Sequence, residues 1–107
     1  MIESVHSTFL WHSDEKDFYH AIESGDYGRT VEYYYRNIQS GCEGDAELKE
    51  YYGVAKYYEA ASLYKAYLKA GNTEQAEKYQ ERMNAALNEM GEWMIVKEPI
   101  HEQLGIE

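Results

Sequence analysis

The stretch "GVAKYYEAASLYKAYLKAGNTEQAEKYQERM", residues 53–83, decides the fold because it holds two helical patterns joined by a polar turn. On each side of Gly71 and Asn72, apolar side chains recur every three or four residues, the spacing of one buried helix face. Glycine commonly follows the last turn of a helix, and asparagine or threonine commonly caps the start of the next one. The stretch therefore predicts an antiparallel helical hairpin.

The first helix of this hairpin, predicted over about 46–70 and capped by Asp45, carries two adjacent apolar stripes. One stripe contains Val54, Tyr57, Ala61, Tyr64 and Leu68, and the other contains Ala60, Leu63, Tyr67 and Ala70. Two stripes indicate contact with two neighbouring helices, so we expect this helix at the centre with Leu63 and Leu68 in the core. Gly53 costs about 1 kcal/mol relative to alanine inside a helix, which indicates a bend or a close crossing.

The second helix of the hairpin is predicted over about 73–90, with Gly91 as its stop. Its expected buried face contains Ala76, Tyr79, Met83, Ala86 or Leu87, and Met90. This helix completes a hairpin whose two apolar faces can pack against each other.

Another hairpin is predicted upstream, around "GDYGRTVEYYYRNIQSG", residues 25–41. Its first helix begins at a cap on Ser13 or Asp14, and it buries a face made of Phe18, Ala21 and Ile22. Gly25 to Gly28 end it, and a helix over about 29–40 follows. That helix is expected to bury Val31, Tyr34, Tyr35 and Ile38, which leaves Tyr33 at the boundary because consecutive helical residues point in different directions.

These patterns predict an all-α protein, with residues 1–107 forming a single helical domain of four main helices arranged as two hairpins. The short terminal segments "VHSTFLWH" and "EWMIVKEP" are expected to pack on this bundle, with Trp11 and Trp93 on the core. Either segment can be extended chain folded over the bundle or helix. Pairing of the two segments as strands is the alternative.

The two hairpins resemble the tetratricopeptide repeat over residues 14–40 and 58–88. In the later unit the residues that match are Leu63, Tyr67, Gly71 and Ala76, and those that depart are Tyr64, Tyr79 and Met83. In the earlier unit the residues that match are Gly25, Thr30 and Tyr34, and those that depart are Asp17, Phe18 and Asn37. Gly25 and Gly71, the turn glycines of the two units, lie 46 residues apart, whereas the family repeats about every 34 residues. The resemblance implies a peptide-binding adaptor or scaffold.

Charge restricts the kind of partner. The chain carries 20 acids and 10 bases, a net charge of −10. Phosphate backbones and anionic membranes repel such a surface, so we expect neither direct nucleic-acid binding nor membrane binding. A basic protein surface is the natural complement of this negative charge. The sequence is also compatible with a homodimer. The single Cys42 and the absence of a signal-like N-terminal pattern lead us to expect a cytoplasmic protein.

The first half of the chain is the candidate docking surface. Residues 1–50 hold 11 acids and 4 bases, and many of the 12 tyrosines are interleaved with these acids. Tyrosine supplies a large rigid contact area at low entropic cost, which suits interfaces. The predicted partner-binding residues are Asp14, Asp17, Glu23, Asp26, Tyr27, Glu32 and Tyr33.

The sequence gives weaker support for catalysis or metal binding. The pairs Asp17–His20 and Glu98–His101 place a carboxylate three residues before an imidazole, which could complete a metal site only if both pairs met. Glu43 beside Cys42 disfavours a reactive thiolate. We therefore predict no enzyme, no catalytic residue, no metal and no cofactor, with a small metal-dependent enzyme as the distant alternative.

The sequence thus predicts a non-enzymatic protein–protein interaction module that docks on a basic partner surface. One form of this function is a small phage-type inhibitor, a nucleic-acid mimic that blocks a nucleic-acid-handling protein. The alternative within binding proteins is the peptide-binding adaptor that the repeat resemblance implies.

Overall fold

The computed structural model describes residues 15–41 and 48–106. Within these ranges the chain forms α-helices and one 3-10 helix and no strand, so the all-α prediction is confirmed. The helices are α1 over residues 15–23, α2 over Tyr27–Gln39, α3 over Lys49–Lys69, α4 over Thr73–Leu87, a 3-10 helix over Gly91–Val96 and α5 over Lys97–Leu104. The caps predicted at Ser13 or Asp14 and at Asp45 lie outside the described residues.

Helix α3 is the centre of the bundle, as the two stripes predicted. It packs against α2, α4, the 3-10 helix and α5. Its first half is the most deeply buried part of the protein, with Val54, Tyr57 and Ala61 almost fully enclosed. Aromatic rings fill much of the surrounding space: Phe18 of α1 stacks on Tyr51, with 5.4 Å between ring centroids.

The second half of α3 does not lie in the core, and the placement of Leu63 and Leu68 there was wrong. Leu63 is 36% exposed and Leu68 is 46% exposed. The side-chain contacts between α2 and α3 include the ring contact of Tyr27 with Tyr58 and the hydrogen bond of Tyr35 with Glu59, both before Leu63 in the chain. The last turns of α3 lie alongside α4, where the Tyr67 ring stacks on the Tyr79 ring with 5.5 Å between centroids. The apolar stripes continue along α3 in the sequence, but its neighbours leave Leu63 and Leu68 partly open to solvent.

The α3–α4 hairpin follows the prediction closely. Asn72 is the N-cap of α4, and its side-chain oxygen accepts a hydrogen bond of 3.2 Å from the backbone N–H of Gln75. Ala76, Met83 and Ala86 are buried on α4, as expected. The close crossing predicted at Gly53 is confirmed, because this glycine lies against the backbone between Glu89 and Met90.

Helix α2 differs from the prediction in its start and in its buried face. It begins at Tyr27, so Gly28 lies inside the helix and does not break the chain. The buried residues are Tyr27, Thr30 and Asn37, whereas Tyr35 is 45% exposed. Thr30 can be buried because its hydroxyl donates a 2.6 Å hydrogen bond to the carbonyl of Tyr27. The apolar spacing therefore predicted a buried face that lies next to the face buried in the structure.

The C-terminal segment, for which extended chain and helix were both open, is helical. It forms the 3-10 helix and α5, and both pack on α3 through the buried side chains of Val96 and Ile100. Pro99 stands in the first turn of α5, where its missing N–H is not needed. Trp93 docks on Tyr51 with 5.7 Å between ring centroids, as expected. Trp11 and the segment around it lie outside the described residues.

None of the helices in the described ranges combines the length and apolar character needed to cross a membrane.

Candidate functional site

The turn between α1 and α2 forms a shallow depression on the acidic half of the protein. Gly25 has a φ of 77°, a conformation that favours glycine, and it lets the chain reverse directly after α1. Asp26 then occupies the N-cap position of α2. The depression has a volume of about 260 Å³. Its lining contains Asp17, His20, Ala21, Ser24, Asp26, Arg29 and Tyr33.

Three of the seven predicted partner-binding residues meet in this depression: Asp17, Asp26 and Tyr33. Glu23 and Glu32 are exposed but do not belong to its lining. Tyr27 has to be removed from the set, because its ring lies in the core and is only 5% exposed. Asp14 lies outside the described residues.

Charges in the depression are only partly compensated. The Arg29 guanidinium lies 3.3 Å from the Asp26 carboxylate. Contact with Tyr33 first, and with Asp26 second, raises the pKa of Arg29. Asp17 has no ion pair among the residues that the structure describes. The depression therefore keeps a net negative charge, to which the exposed Glu23 on α1 adds.

Tyr33 is less available than the sequence predicted. Its ring packs edge-on against Phe18 at a centroid distance of 5.6 Å, and the Arg36 guanidinium covers it at 5.3 Å. The most exposed tyrosines of the described ranges are Tyr19 and Tyr35. Tyr33 therefore contributes one wall of the depression rather than a free anchor.

Tyr35 is tied to α3 although it is exposed. Its hydroxyl donates to the Glu59 carboxylate, with distances of 2.7 and 2.9 Å to the two oxygens. This hydrogen bond, more than burial, raises the pKa of Tyr35 to about 12. The contact joins the outer face of α2 to α3 and orients Glu59 towards a second surface feature.

That second feature is a groove between α3 and α4 with a volume of about 340 Å³. Its floor is apolar and contains Ala60, Leu63, Ala85 and Ala86. At one end Lys56 and Glu89 form an ion pair of 3.2 Å, and Arg82 lies 4.9 Å from the centroid of the Tyr79 ring. The groove was missed because Leu63 was assigned to the core. Small residues facing each other on adjacent helices were the signal that could have revealed it.

The two carboxylate–histidine pairs do not meet. Asp17 and His20 line the α1–α2 depression, whereas Glu98 and His101 line a different one at α5. His101 Nε2 instead lies 2.6 Å from the hydroxyl of Tyr57. Across residues 15–41 and 48–106 no three histidine, cysteine or acidic side chains are grouped so that they could hold a metal ion. Cys42 lies outside the described residues.

No protein-family model, curated protein or solved structure matches this chain. The resemblance to the tetratricopeptide repeat therefore stays a prediction.

Proposed function

We propose that this protein is a non-enzymatic protein–protein interaction module whose acidic α1–α2 surface docks on a basic surface of a partner protein. The observation that carries the proposal is the convergence of Asp17 and Asp26 beside the Tyr33 ring in one depression. Converging carboxylates suit a lysine or arginine side chain, which can pair with their charge and donate hydrogen bonds to their oxygens.

The charge of the whole protein supports the same partner class. A net charge of −10 creates a negative field that steers basic proteins towards it and repels nucleic acid. Proteins that bind nucleic acid carry basic surfaces that neutralise the phosphate charges, and such surfaces are complementary to an acidic protein. The partner we favour is such a protein, and the expected consequence of docking is that its nucleic-acid site is blocked.

The experiment that tests the proposal is capture of partners on the immobilised protein, followed by elution in rising salt. We expect nucleic-acid-binding proteins to be retained and to elute as the salt concentration rises, because salt screens exposed charges. A variant that combines Glu23→Lys and Glu32→Lys should lose them, since both acids are exposed and have no ion pair in the described ranges. Added DNA should compete for the same partner. Retention that is unaffected by salt, DNA and charge reversal would contradict the proposal.

A matched variant controls for net charge. Glu77→Lys with Glu81→Lys makes the same change of charge on exposed positions of α4. If both double variants lose the partner equally, the effect comes from total charge and not from the α1–α2 surface. Circular dichroism on both variants checks that the helices are retained.

A second candidate function is peptide binding in the α3–α4 groove, and the apolar floor of that groove favours it. Leu63→Glu would place a charge in this floor, on a side chain that is exposed and therefore tolerant of substitution. Loss of the partner on Leu63→Glu, with no effect of the double reversal on α1 and α2, would favour the peptide-binding adaptor.

A further inference from the structure

An aromatic depression lies on the opposite edge of α1, between α1 and α3. It has a volume of about 380 Å³ and is lined by Glu15, Lys16, Tyr19 and Tyr51. Trp93 of the 3-10 helix packs against both tyrosines, with ring-centroid distances of 6.1 Å to Tyr19 and 5.7 Å to Tyr51. The Tyr19 and Trp93 rings stand at 69° to each other. Three helical elements thus contribute to one aromatic surface.

The rings of this surface are held in place but are not all covered. Phe18 stacks on Tyr51 from the core, at an angle of 13° between the ring planes. Tyr19, in contrast, is 46% exposed. A rigid inner ring beside an accessible outer ring offers a binding surface that needs little rearrangement.

Two carboxylates, those of Glu15 and Glu50, lie near the aromatic rings. Glu15 lines the depression. Glu50 lies next to Gly91, because a Cβ atom added to Gly91 would stand 2.5 Å from the Glu50 carboxylate. Burial first, and then the charges of Glu15 and Glu50 together with Tyr19, raise the pKa of Tyr51. Neither carboxylate forms an ion pair within the described part of the chain, and Lys16 is the one cation in the lining. Lys16 balances the charge of Glu15 within the lining, and Glu50 beside it adds one further negative charge, so the site combines aromatic rings with a small excess of negative charge.

We propose that this depression binds an arginine side chain of the partner protein. A guanidinium group can stack on the Tyr19 ring and donate hydrogen bonds to the Glu15 carboxylate at the same time. The inference rests on the proposed function in that the partner is basic. It adds that one arginine is recognised individually, at a place separate from the α1–α2 depression.

A small probe tests the depression without the partner. Trp11→Phe leaves Trp93 as the sole tryptophan, so its fluorescence reports on this surface. The probe is a blocked Gly-Arg-Gly tripeptide, and its control is the same peptide with citrulline, which keeps the shape and removes the charge. We expect a saturable change with the arginine peptide and none with citrulline. No saturable change, or an equal change with both peptides, overturns the proposal.

Two further variants, made in the Trp11→Phe protein, locate the binding. Tyr19→Leu and Glu15→Gln should each weaken the arginine peptide by about three- to tenfold, the range of one cation–ring or charged contact. The matched controls are Tyr35→Leu, which replaces an equally exposed tyrosine on α2, and Glu81→Gln on α4. Equal weakening by a variant and its control would overturn the assignment. Because the lining of the α1–α2 depression and the pair Glu23 and Glu32 are unchanged in these proteins, salt-dependent partner capture still reports separately on the proposed function.

Discussion

Gly53 lies so close to the backbone of Glu89 that a Cβ atom on the glycine would meet the Glu89 carbonyl carbon at 2.9 Å. The carbonyl oxygen would lie at 3.1 Å and the backbone nitrogen of Met90 at 3.0 Å. These are backbone atoms, which cannot turn aside as a flexible side chain can. The central helix and the turn that follows α4 therefore approach each other at a distance that only glycine permits.

Gly53→Ala should destabilise the protein although alanine is the better helix former. The substitution gains about 1 kcal/mol in helix propensity. The steric conflict forces the helices apart, and overpacking of this kind costs about 1–3 kcal/mol. We expect a net decrease in the free energy of unfolding, measured by urea denaturation.

The matched control is Gly28→Ala in α2. A Cβ at Gly28 would meet only the Tyr58 ring, at an ordinary contact distance of 3.8 Å. This variant should be neutral or stabilising by up to about 1 kcal/mol. If both alanine variants gained stability, the close crossing at Gly53 would not be a constraint on the fold.

Leucine truncations on α3 should be mild, in contrast to truncation at α5. Leu68→Ala removes an exposed side chain and should cost less than about 1 kcal/mol, since surface substitutions have small effects. Ile100→Ala empties a fully buried position and should cost about 2–5 kcal/mol. Denaturation of both variants compares them directly. A large loss for Leu68→Ala with a small loss for Ile100→Ala would contradict the described packing.

The sequence predicted the helices better than their surroundings. Helix caps and glycine stops are local signals, so the hairpin around Asn72 could be placed from its own residues. Exposure of Leu68 depends on which other elements cover the last turns of α3, and no pattern within α3 contains that information. The burial of Asn37 had no signal either, since an asparagine is seldom enclosed.

The same difference between local signals and tertiary contacts applies to the candidate sites. Asp17 and Asp26 were identified because charge and chain position are visible in the sequence. The pocket of Tyr19, Tyr51 and Trp93 was not, because it depends on the C-terminal segment folding as a helix against α1 and α3. Spacing along one helix cannot predict which side chains of three elements meet.

His101 should make stability depend on pH. Its burial, and then the charge of Lys97, lower the pKa of its imidazole, while Glu98 acts in the opposite direction. Tyr57 and Glu102 are its other polar neighbours. The unfolded chain takes up the proton more readily, so this contribution is present above about pH 6.5 and is lost as the pH falls.

The measurement is the urea midpoint at pH 7.5 and at pH 5. His101→Gln cannot take up the proton and keeps a hydrogen-bonding side chain opposite Tyr57, so its midpoint should fall less between the two pH values. His20→Gln, at an exposed position, serves as the control and should follow the unmodified protein. An unchanged pH response in His101→Gln would show that this imidazole does not titrate between the two pH values in a way that affects folding.

Charge reversal on α1 and α2 should change how fast a captured partner associates more than how fast it leaves. Exposed charges steer the encounter over a distance of about 8 Å at physiological salt, whereas buried contacts determine how long the complex lasts. Glu23→Lys with Glu32→Lys should therefore lower the association rate and flatten its dependence on salt. Asp26 is left unchanged because its ion pair with Arg29 would be lost with it. Surface plasmon resonance at two salt concentrations separates the two rates, with Glu77→Lys and Glu81→Lys as the control. Association that ignores both salt and charge reversal would exclude acidic docking and leave the apolar α3–α4 groove as the better account of binding.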